Sequence, residues 1–147
     1  MILVDLNQVM ISNLMVQLGN QAGELDENLF RHMILNSLRS NRSKFTDKFG
    51  ELVICCDDKN FWRRQRFPYY KANRKKYREE STVDWSTVFN TLNKVREEIR
   101  DYFPYKVIKI DTAEADDIIG TITTKYHSAE PILILSGDKD FIQLHKF

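Results

Sequence analysis

Four short apolar runs are spaced along the chain, and an acidic residue or a short acidic loop follows each of them. The runs occupy residues 2–5, 52–56, 106–110 and 132–135. They are rich in β-branched residues and mostly unbroken, which is typical of buried parallel strands rather than of half-exposed antiparallel ones. The pattern therefore predicts four parallel strands at these positions.

Apolar residues three and four positions apart predict three helices between these strands. The first helix has Asp26 as a plausible N-cap, the second starts near Ser81 and Thr82 and stops before Pro104, and the third covers 113–126. Strands that alternate with helices indicate an α/β fold with right-handed βαβ connections around a parallel sheet. The inward positions are Phe30, Met33, Ile34 and Leu38 in the first helix, Trp85, Val88, Phe89, Leu92, Val95, Ile99 and Tyr102 in the second, and Ile118, Ile119 and Ile122 in the third.

Charge is distributed unevenly, although 22 Lys+Arg nearly balance 21 Asp+Glu over the 147 residues. Residues 59–78 hold nine basic side chains, no acid and six aromatic residues. A merely solvated charged face would have no reason to display aromatic rings, whereas single-stranded nucleic acid binds to cations along its backbone and to aromatic faces that stack on bases. The segment fits neither the strand nor the helix pattern, so we interpret it as a nucleic-acid-binding insertion.

Acidic residues follow all four predicted strands, at the sheet edge where open parallel sheets bind ligands. Crowded carboxylates repel one another unless a cation lies among them, and an all-oxygen ligand set suits Mg²⁺ or Mn²⁺. Taken singly, these acids could be helix-dipole or turn residues, but their repetition at every strand end favours a metal site. Two such ions support phosphodiester cleavage, so the residues indicate a metal-dependent nuclease. The acids concerned are Asp5, Asp57, Glu114, Asp116, Asp117, Asp138 and Asp140.

The two cysteines, Cys55 and Cys56, are adjacent in a predicted strand, so their side chains should point to opposite faces. That arrangement argues against a disulfide and favours a reducing, cytoplasmic setting. We also expect no membrane association, since the sequence contains no apolar run long enough to span a bilayer.

Five motifs occur in an order that resembles the flap-endonuclease or 5′-nuclease family, which includes the 5′-nuclease domains of bacterial DNA polymerase I and phage 5′-exonucleases. The resemblance covers essentially the whole chain. It implies a PIN-like domain with a mostly parallel, twisted central sheet, helices on both faces, and a basic helical arch at about residues 60–80. The motifs are Val4-Asp5, Cys56-Asp57, Trp62-Arg63-Arg64 with Phe67-Pro68-Tyr69-Tyr70-Lys71-Ala72-Asn73-Arg74, Glu114-Ala115-Asp116-Asp117, and Ser136-Gly137-Asp138-Lys139-Asp140.

The resemblance also implies roles for individual residues. The more tightly held ion, Mg²⁺ with Mn²⁺ as a substitute, would be bound by Asp5, Asp57, Asp116 and Asp138. Glu114 would lie close to that ion, and Asp117 and Asp140 would lean toward a second ion. Lys71 and Arg74 match a catalytic pair that positions the scissile phosphate, and Tyr70 matches an aromatic that stacks on a terminal base. The implied nucleic-acid contacts are Arg63, Arg64, Arg66, Tyr70, Lys71, Arg74, Lys75 and Lys76.

The implied activity is that of a metal-dependent 5′-to-3′ exonuclease or flap endonuclease with ribonuclease H activity, which removes RNA primers in lagging-strand replication. Its partners would be branched or 5′-flap DNA, RNA–DNA hybrid, and a replication single-stranded-DNA-binding protein. The family is roughly twice as long as this chain, and its second half supplies further acids and a helix–three-turn–helix motif. We therefore expect an N-terminal half, residues 1–147, with impaired cleavage. A non-cleaving nucleic-acid- or partner-binding fragment is the main alternative, and a PIN-type ribonuclease toxin ranks lower because it usually lacks the basic insertion.

Overall fold

A single parallel sheet organises the molecule in the computed structural model, which describes residues 1–20 and 25–147. Its strands are β1 (Ile2–Asp5), β2 (Leu52–Cys56), β3 (Lys106–Lys109) and β4 (Leu133–Leu135). The strand order is β3-β2-β1-β4, and all three pairings are parallel. The α/β fold and the four parallel strands predicted from the apolar runs are therefore confirmed.

Only the two central strands are buried along their whole length. Every residue of β1 and β2 is buried, whereas β3 and β4 lie at the two edges of the sheet and are partly exposed. The prediction of full burial is wrong for these edge strands. The sequence of β3 contains the reason, because Lys106 and Lys109 are its two exposed residues and charged side chains are common on free sheet edges.

Helices cover both faces of the sheet, as the family resemblance implies. One face packs against α1 (Leu6–Asn20), α2 (Glu27–Phe49) and α5 (Trp85–Tyr102). The other packs against α6 (Ala115–Tyr126) and a 3₁₀ segment, Lys139–Lys146. None of the helices in the described part of the chain is both long enough and apolar enough to cross a bilayer.

Helix boundaries follow the capping residues. The Asp26 carboxylate accepts hydrogen bonds from the backbone N–H groups of Asn28 (3.0 Å) and Leu29 (3.1 Å), which confirms it as the N-cap of α2. Helix α5 begins later than Ser81 and Thr82, because the Asp84 carboxylate accepts from the N–H of Thr87 and fixes the first turn there.

Helix α1 is absent from the sequence-based prediction. It begins at Leu6, directly after the last residue of β1, so no loop residue separates the strand from the helix. Its apolar positions therefore follow closely on the apolar run of the strand, and the change from strand spacing to helix spacing is difficult to see in the sequence. Leu6, Met10 and Leu14 are nevertheless fully buried at helical spacing, which shows that the pattern was present.

The core has two parts because the side chains of a strand alternate between faces. Cys56 belongs to the part beneath α1, α2 and α5, and Cys55 belongs to the part beneath α6. Both thiols are buried and free, as their adjacent positions predict. In α5 the inward stripe consists of Val88, Leu92, Val95 and Ile99, with Trp85 packed against it, whereas Phe89 and Tyr102 are exposed, contrary to the prediction.

The basic segment, residues 59–78, contains two short helices outside this core. They are α3 (Trp62–Arg66) and α4 (Ala72–Glu79), and neither contains a buried residue. The segment leaves the sheet just after Asp57 and therefore starts at the edge where the strands end. This position agrees with an insertion that projects from the fold.

Candidate metal centre and nucleic-acid interface

The end of β1 and the end of β2 each place a carboxylate at the carboxyl edge of the sheet. Asp5 is 6% exposed, and it accepts hydrogen bonds from the Gln8 N–H (3.2 Å) and the Ser136 hydroxyl (3.4 Å). Asp57 accepts from the Asn7 side-chain amide (2.6 Å) and from the backbone N–H of Ala115 (2.7 Å). Asp57 therefore joins the end of β2 to the first turn of α6.

Three further carboxylates form a compact cluster beside them. Oxygens of Asp116, Asp138 and Asp140 all lie within 4.8 Å of one another. Asp116 comes from the first turn of α6, Asp138 caps the 3₁₀ segment Lys139–Lys146, and Asp140 lies in the first turn of that segment. The Asp138 carboxylate accepts from the Asp140 N–H at 2.9 Å, which fixes this first turn. Elements distant in sequence are thus needed to assemble the cluster.

Burial and neighbouring charges disfavour the ionised forms of Asp5 and Asp116 when no cation is bound. Burial raises the pKa of Asp5 to about 6, and the nearby carboxylates of Asp57 and Asp116 contribute to the increase. The pKa of Asp116 is also raised, first by burial and then by the charges of Asp57 and Asp138. A cation bound beside these two carboxylates would favour their ionised forms.

The residues present fit a divalent metal ion. In residues 1–20 and 25–147, no Lys, Arg or His forms an ion pair with Asp5, Asp57, Asp116, Asp138 or Asp140. Their side chains offer only oxygen ligands, and no histidine or cysteine belongs to the cluster. Oxygen-only sets of this kind suit Mg²⁺ or Mn²⁺ better than Zn²⁺. The structure thus brings three of the seven predicted carboxylates into one metal-sized cluster, and Asp5 and Asp57 lie near enough to interact with Asp116 electrostatically.

Glu114 contacts the basic segment instead of this cluster. Its side chain is 2% exposed, and its Oε2 accepts hydrogen bonds from Arg63 Nη1 (2.7 Å) and the Tyr70 hydroxyl (3.0 Å). The Lys71 ammonium contacts its Oε1. Glu114 therefore holds three side chains that the sequence resemblance assigns to nucleic-acid binding.

Asp117 makes a second connection to the same segment. It accepts from Arg63 Nη2 (2.7 Å), from the Trp62 indole N–H (3.0 Å) and from the backbone N–H of Glu114 (3.0 Å). Burial alone would raise the pKa of Asp117, but the hydrogen bonds from Arg63, Glu114 and Trp62 together lower it. Asp117 is therefore held as an anion by protein groups, and its role toward a second ion stays a prediction.

The basic side chains thus divide into two groups. Arg63, Tyr70 and Lys71 are directed toward Glu114, whereas the remaining predicted nucleic-acid contacts face solvent. Lys71 also adopts a left-handed backbone conformation, φ 56° and ψ 18°, where α4 begins. The solvent-facing group consists of Arg64, Arg66, Arg74, Lys75 and Lys76.

Thr112 connects the basic segment to the loop after β3, a role that no pattern in the sequence predicts. Its N–H donates to the Asp58 carboxylate (2.9 Å), and its carbonyl accepts from the Trp62 N–H (2.9 Å). It does so at φ 65°, where a β-branched residue is disfavoured. The Lys109 ammonium pairs with Asp58 at 3.0 Å, so Asp58 joins β3 to this loop as well.

Comparison with known proteins agrees with this geometry. Residues 28–146 match the family model of the 5′-3′ exonuclease, N-terminal resolvase-like domain. The chain belongs to this family. It is 40% identical to the ribonuclease H of Enterobacteria phage T4 over 149 residues, which is 99% of the chain and 48% of that protein. It is 32% identical to a 5′-3′ exonuclease of Streptomyces coelicolor over 67% of the chain and 34% of that protein.

Two solved bacteriophage T5 structures share the fold of this chain. A bacteriophage T5 protein co-crystallised with metal ions superposes with a TM-score of 0.74 at 17% identity, over 97% of the chain and 50% of that protein. A T5 flap endonuclease in a pseudo-enzyme-product complex with DNA and metal ions gives a TM-score of 0.67 at 17% identity, over 95% and 49%. The chain therefore spans about half the length of these relatives.

Proposed function

We propose that this chain is the N-terminal catalytic domain of a 5′-nuclease that hydrolyses phosphodiester bonds in 5′ DNA flaps and RNA–DNA hybrids with Mg²⁺ as its cofactor. The observation that carries the proposal is the cluster of Asp116, Asp138 and Asp140 beside the basic segment. Support comes from the 40% identity to a protein named ribonuclease H, and from the T5 relatives that bind metal ions and DNA.

Asp116, Asp138 and Asp140 would hold the cation, with Asp5 and Asp57 as the adjacent carboxylates. A divalent ion bound there supplies positive charge that neutralises phosphoryl oxygens and makes water a better nucleophile. Mn²⁺ would substitute, since it accepts the same oxygen ligands. Asp5 and Asp57 each accept hydrogen bonds from neighbouring groups, and these bonds hold the two carboxylates in place. Little reorganisation of them is therefore needed when the ion binds.

The basic segment would bind the substrate. Lys71 and Arg74 would position the scissile phosphate and offset the charge that develops on it, and Tyr70 would stack on the terminal base. In the structure Lys71 contacts Glu114, so a phosphate must replace Glu114 as its partner. Arg64, Arg66, Lys75 and Lys76 already face solvent, where they would meet the strand first.

In this proposal residues 1–147 correspond to the family's first half, with the arch at about 60–80. Further acids for a second ion, the helix–three-turn–helix motif that grips duplex DNA, and contacts to a replication single-stranded-DNA-binding protein would come from a second half. We expect the described cluster to bind one ion well and a second ion poorly. Calorimetric titration with Mn²⁺ tests this, and two tight sites would contradict it.

A non-cleaving nucleic-acid-binding fragment is the second candidate, because the chain covers only about half of its relatives. A 5′-labelled flap and a labelled RNA–DNA hybrid, each incubated with Mg²⁺, separate the two. Weak product formation that Asp116→Asn abolishes and Asp47→Asn preserves would support the nuclease. Asp47 is a suitable control because it is an exposed carboxylate on α2. Binding of the wild type without any product would favour the second candidate.

A further inference from the structure

A cavity of about 260 Å³ lies between α5 and the ends of β2 and β3. Three cationic side chains, Arg96, Arg100 and Lys109, line it together with Glu97, Asp111, Cys56 and Val107. Cys56 immediately precedes Asp57, so the cavity opens near the carboxyl edge of the sheet. It lies on the α5 side of the sheet, whereas Asp116 is on α6, which packs on the other side.

Arg96 differs from the other cations of this cavity because one of its buried donors has no hydrogen-bond partner among the described residues. Its side chain is 13% exposed, less than Arg31 (23%) or Arg63 (30%), which both form close ion pairs. Its Nε is buried and has no hydrogen-bond partner among the described residues. The neighbouring Glu97 carboxylate is 3.7 Å from Nη2, too far for a hydrogen bond. A buried N–H group without an acceptor is costly, so a ligand that supplies an acceptor to this guanidinium is favoured.

The other two cations are already partly neutralised. Arg100 is about half exposed and contacts Glu97 and Asp101, and Lys109 pairs with Asp58 at 3.0 Å. Arg96 is therefore the least neutralised cation of this lining, and its planar guanidinium matches the paired oxygens of a phosphate group.

We propose that this cavity is a phosphate-binding subsite with Arg96 as its principal ligand, separate from the carboxylate cluster. The phosphate would come from a nucleic-acid strand crossing the sheet edge or from a free anion. The proposal that this cavity binds a phosphate group depends only on Arg96 and the cavity. The proposal that a nucleic-acid strand supplies that phosphate rests on the proposed nuclease function.

Arginine Nε–H resonances in a ¹⁵N-labelled sample test the subsite on the wild-type chain. The chain is titrated in EDTA with inorganic phosphate, and separately with a single-stranded oligonucleotide that cannot be cleaved without metal. We expect the Arg96 resonance to shift and saturate. If the shift saturates at a lower concentration of oligonucleotide than of inorganic phosphate, a strand is the source of the phosphate group. If the two ligands saturate the shift at equal concentrations, the source is a free anion. No shift with either ligand overturns the subsite, even if the carboxylate cluster binds metal and cleaves.

A pair of variants gives an independent check. Arg96→Met keeps the side-chain length, and Arg39→Met removes a matched charge from an exposed position on α2. We expect Arg96→Met to weaken phosphate-group binding about tenfold and to reduce the slope of log K against log salt by about one, with no loss of stability to urea. Equal binding by the two variants would contradict the proposal. So would a large loss of stability in Arg96→Met with unchanged binding, because it would show a purely structural role.

Discussion

Replacing Asp5 with asparagine should stabilise the metal-free chain, and by an amount that depends on pH. Asp5 is almost completely buried, and its pKa is raised from 3.8 to about 6, mainly by burial and further by Asp57 and Asp116. An acid whose pKa is higher in the folded state is protonated more readily there than in the unfolded chain. The protonated Asp5 side chain therefore contributes fully to the free energy of unfolding below about pH 4. This contribution is lost as the pH rises through 6 and the side chain ionises.

The size of the effect follows from the shift. A change of about two pKa units corresponds to about 3 kcal/mol of unfolding free energy at pH values well above 6. Asparagine has nearly the same shape and carries no charge, so it avoids this cost. We therefore expect Asp5→Asn to be more stable than the wild type by up to about 3 kcal/mol near pH 8 and by only about 0.5 kcal/mol near pH 4.

Urea denaturation of both chains at several pH values, in EDTA, measures these differences. Asp47→Asn removes an exposed carboxylate of α2 that has no ion pair within the described ranges, and it serves as the control for the loss of a surface charge. Adding Mn²⁺ near pH 8 should stabilise the wild type more than Asp5→Asn, because the ion binds ionised carboxylates. A stability difference for Asp5→Asn that is the same at all pH values would refute the reasoning.

Three further changes probe other parts of the structure. Glu114→Gln should destabilise the chain by about 2 kcal/mol, since it leaves Lys71 without its buried anion and Arg63 with Asp117 alone; a double-mutant cycle with Lys71→Met measures the Glu114–Lys71 coupling, and zero coupling would contradict it. Thr112→Gly should stabilise by about 1 kcal/mol by relieving its positive φ, and thermal unfolding showing a loss would disprove that strain. Asp26→Ala should cost about 1 kcal/mol in urea denaturation, and no cost would show that the cap is dispensable.

The sheet and three of the six α-helices formed by residues 1–20 and 25–147 could be predicted because their signals are local. β-Branched runs identify strands, and apolar spacing identified α2, α5 and α6. Helix α1 escaped prediction because it follows β1 without a loop. The exposure of β3 and β4 was also missed, since the order of strands in a sheet depends on packing between distant elements.

The candidate site was predictable in its composition and less so in its pairings. The rule that ligands gather at the ends of parallel strands correctly placed acids there, including Asp116, Asp138 and Asp140. It could not show that Glu114 and Asp117 contact the basic segment, because those contacts depend on how an insertion folds back. The cavity around Arg96 was missed for a related reason, since its residues come from separate elements and form no motif.

The left-handed conformation of Lys71 has a consequence for its displacement by a ligand. A non-glycine residue in this region carries about 1–3 kcal/mol of strain, which its contact with Glu114 helps to offset. Any ligand that takes Lys71 away from Glu114 also lets this residue return to an ordinary backbone geometry. The strain relieved in that step offsets part of the cost of losing the Glu114 contact, so a ligand can displace Lys71 at a lower net cost than the ion pair alone would set.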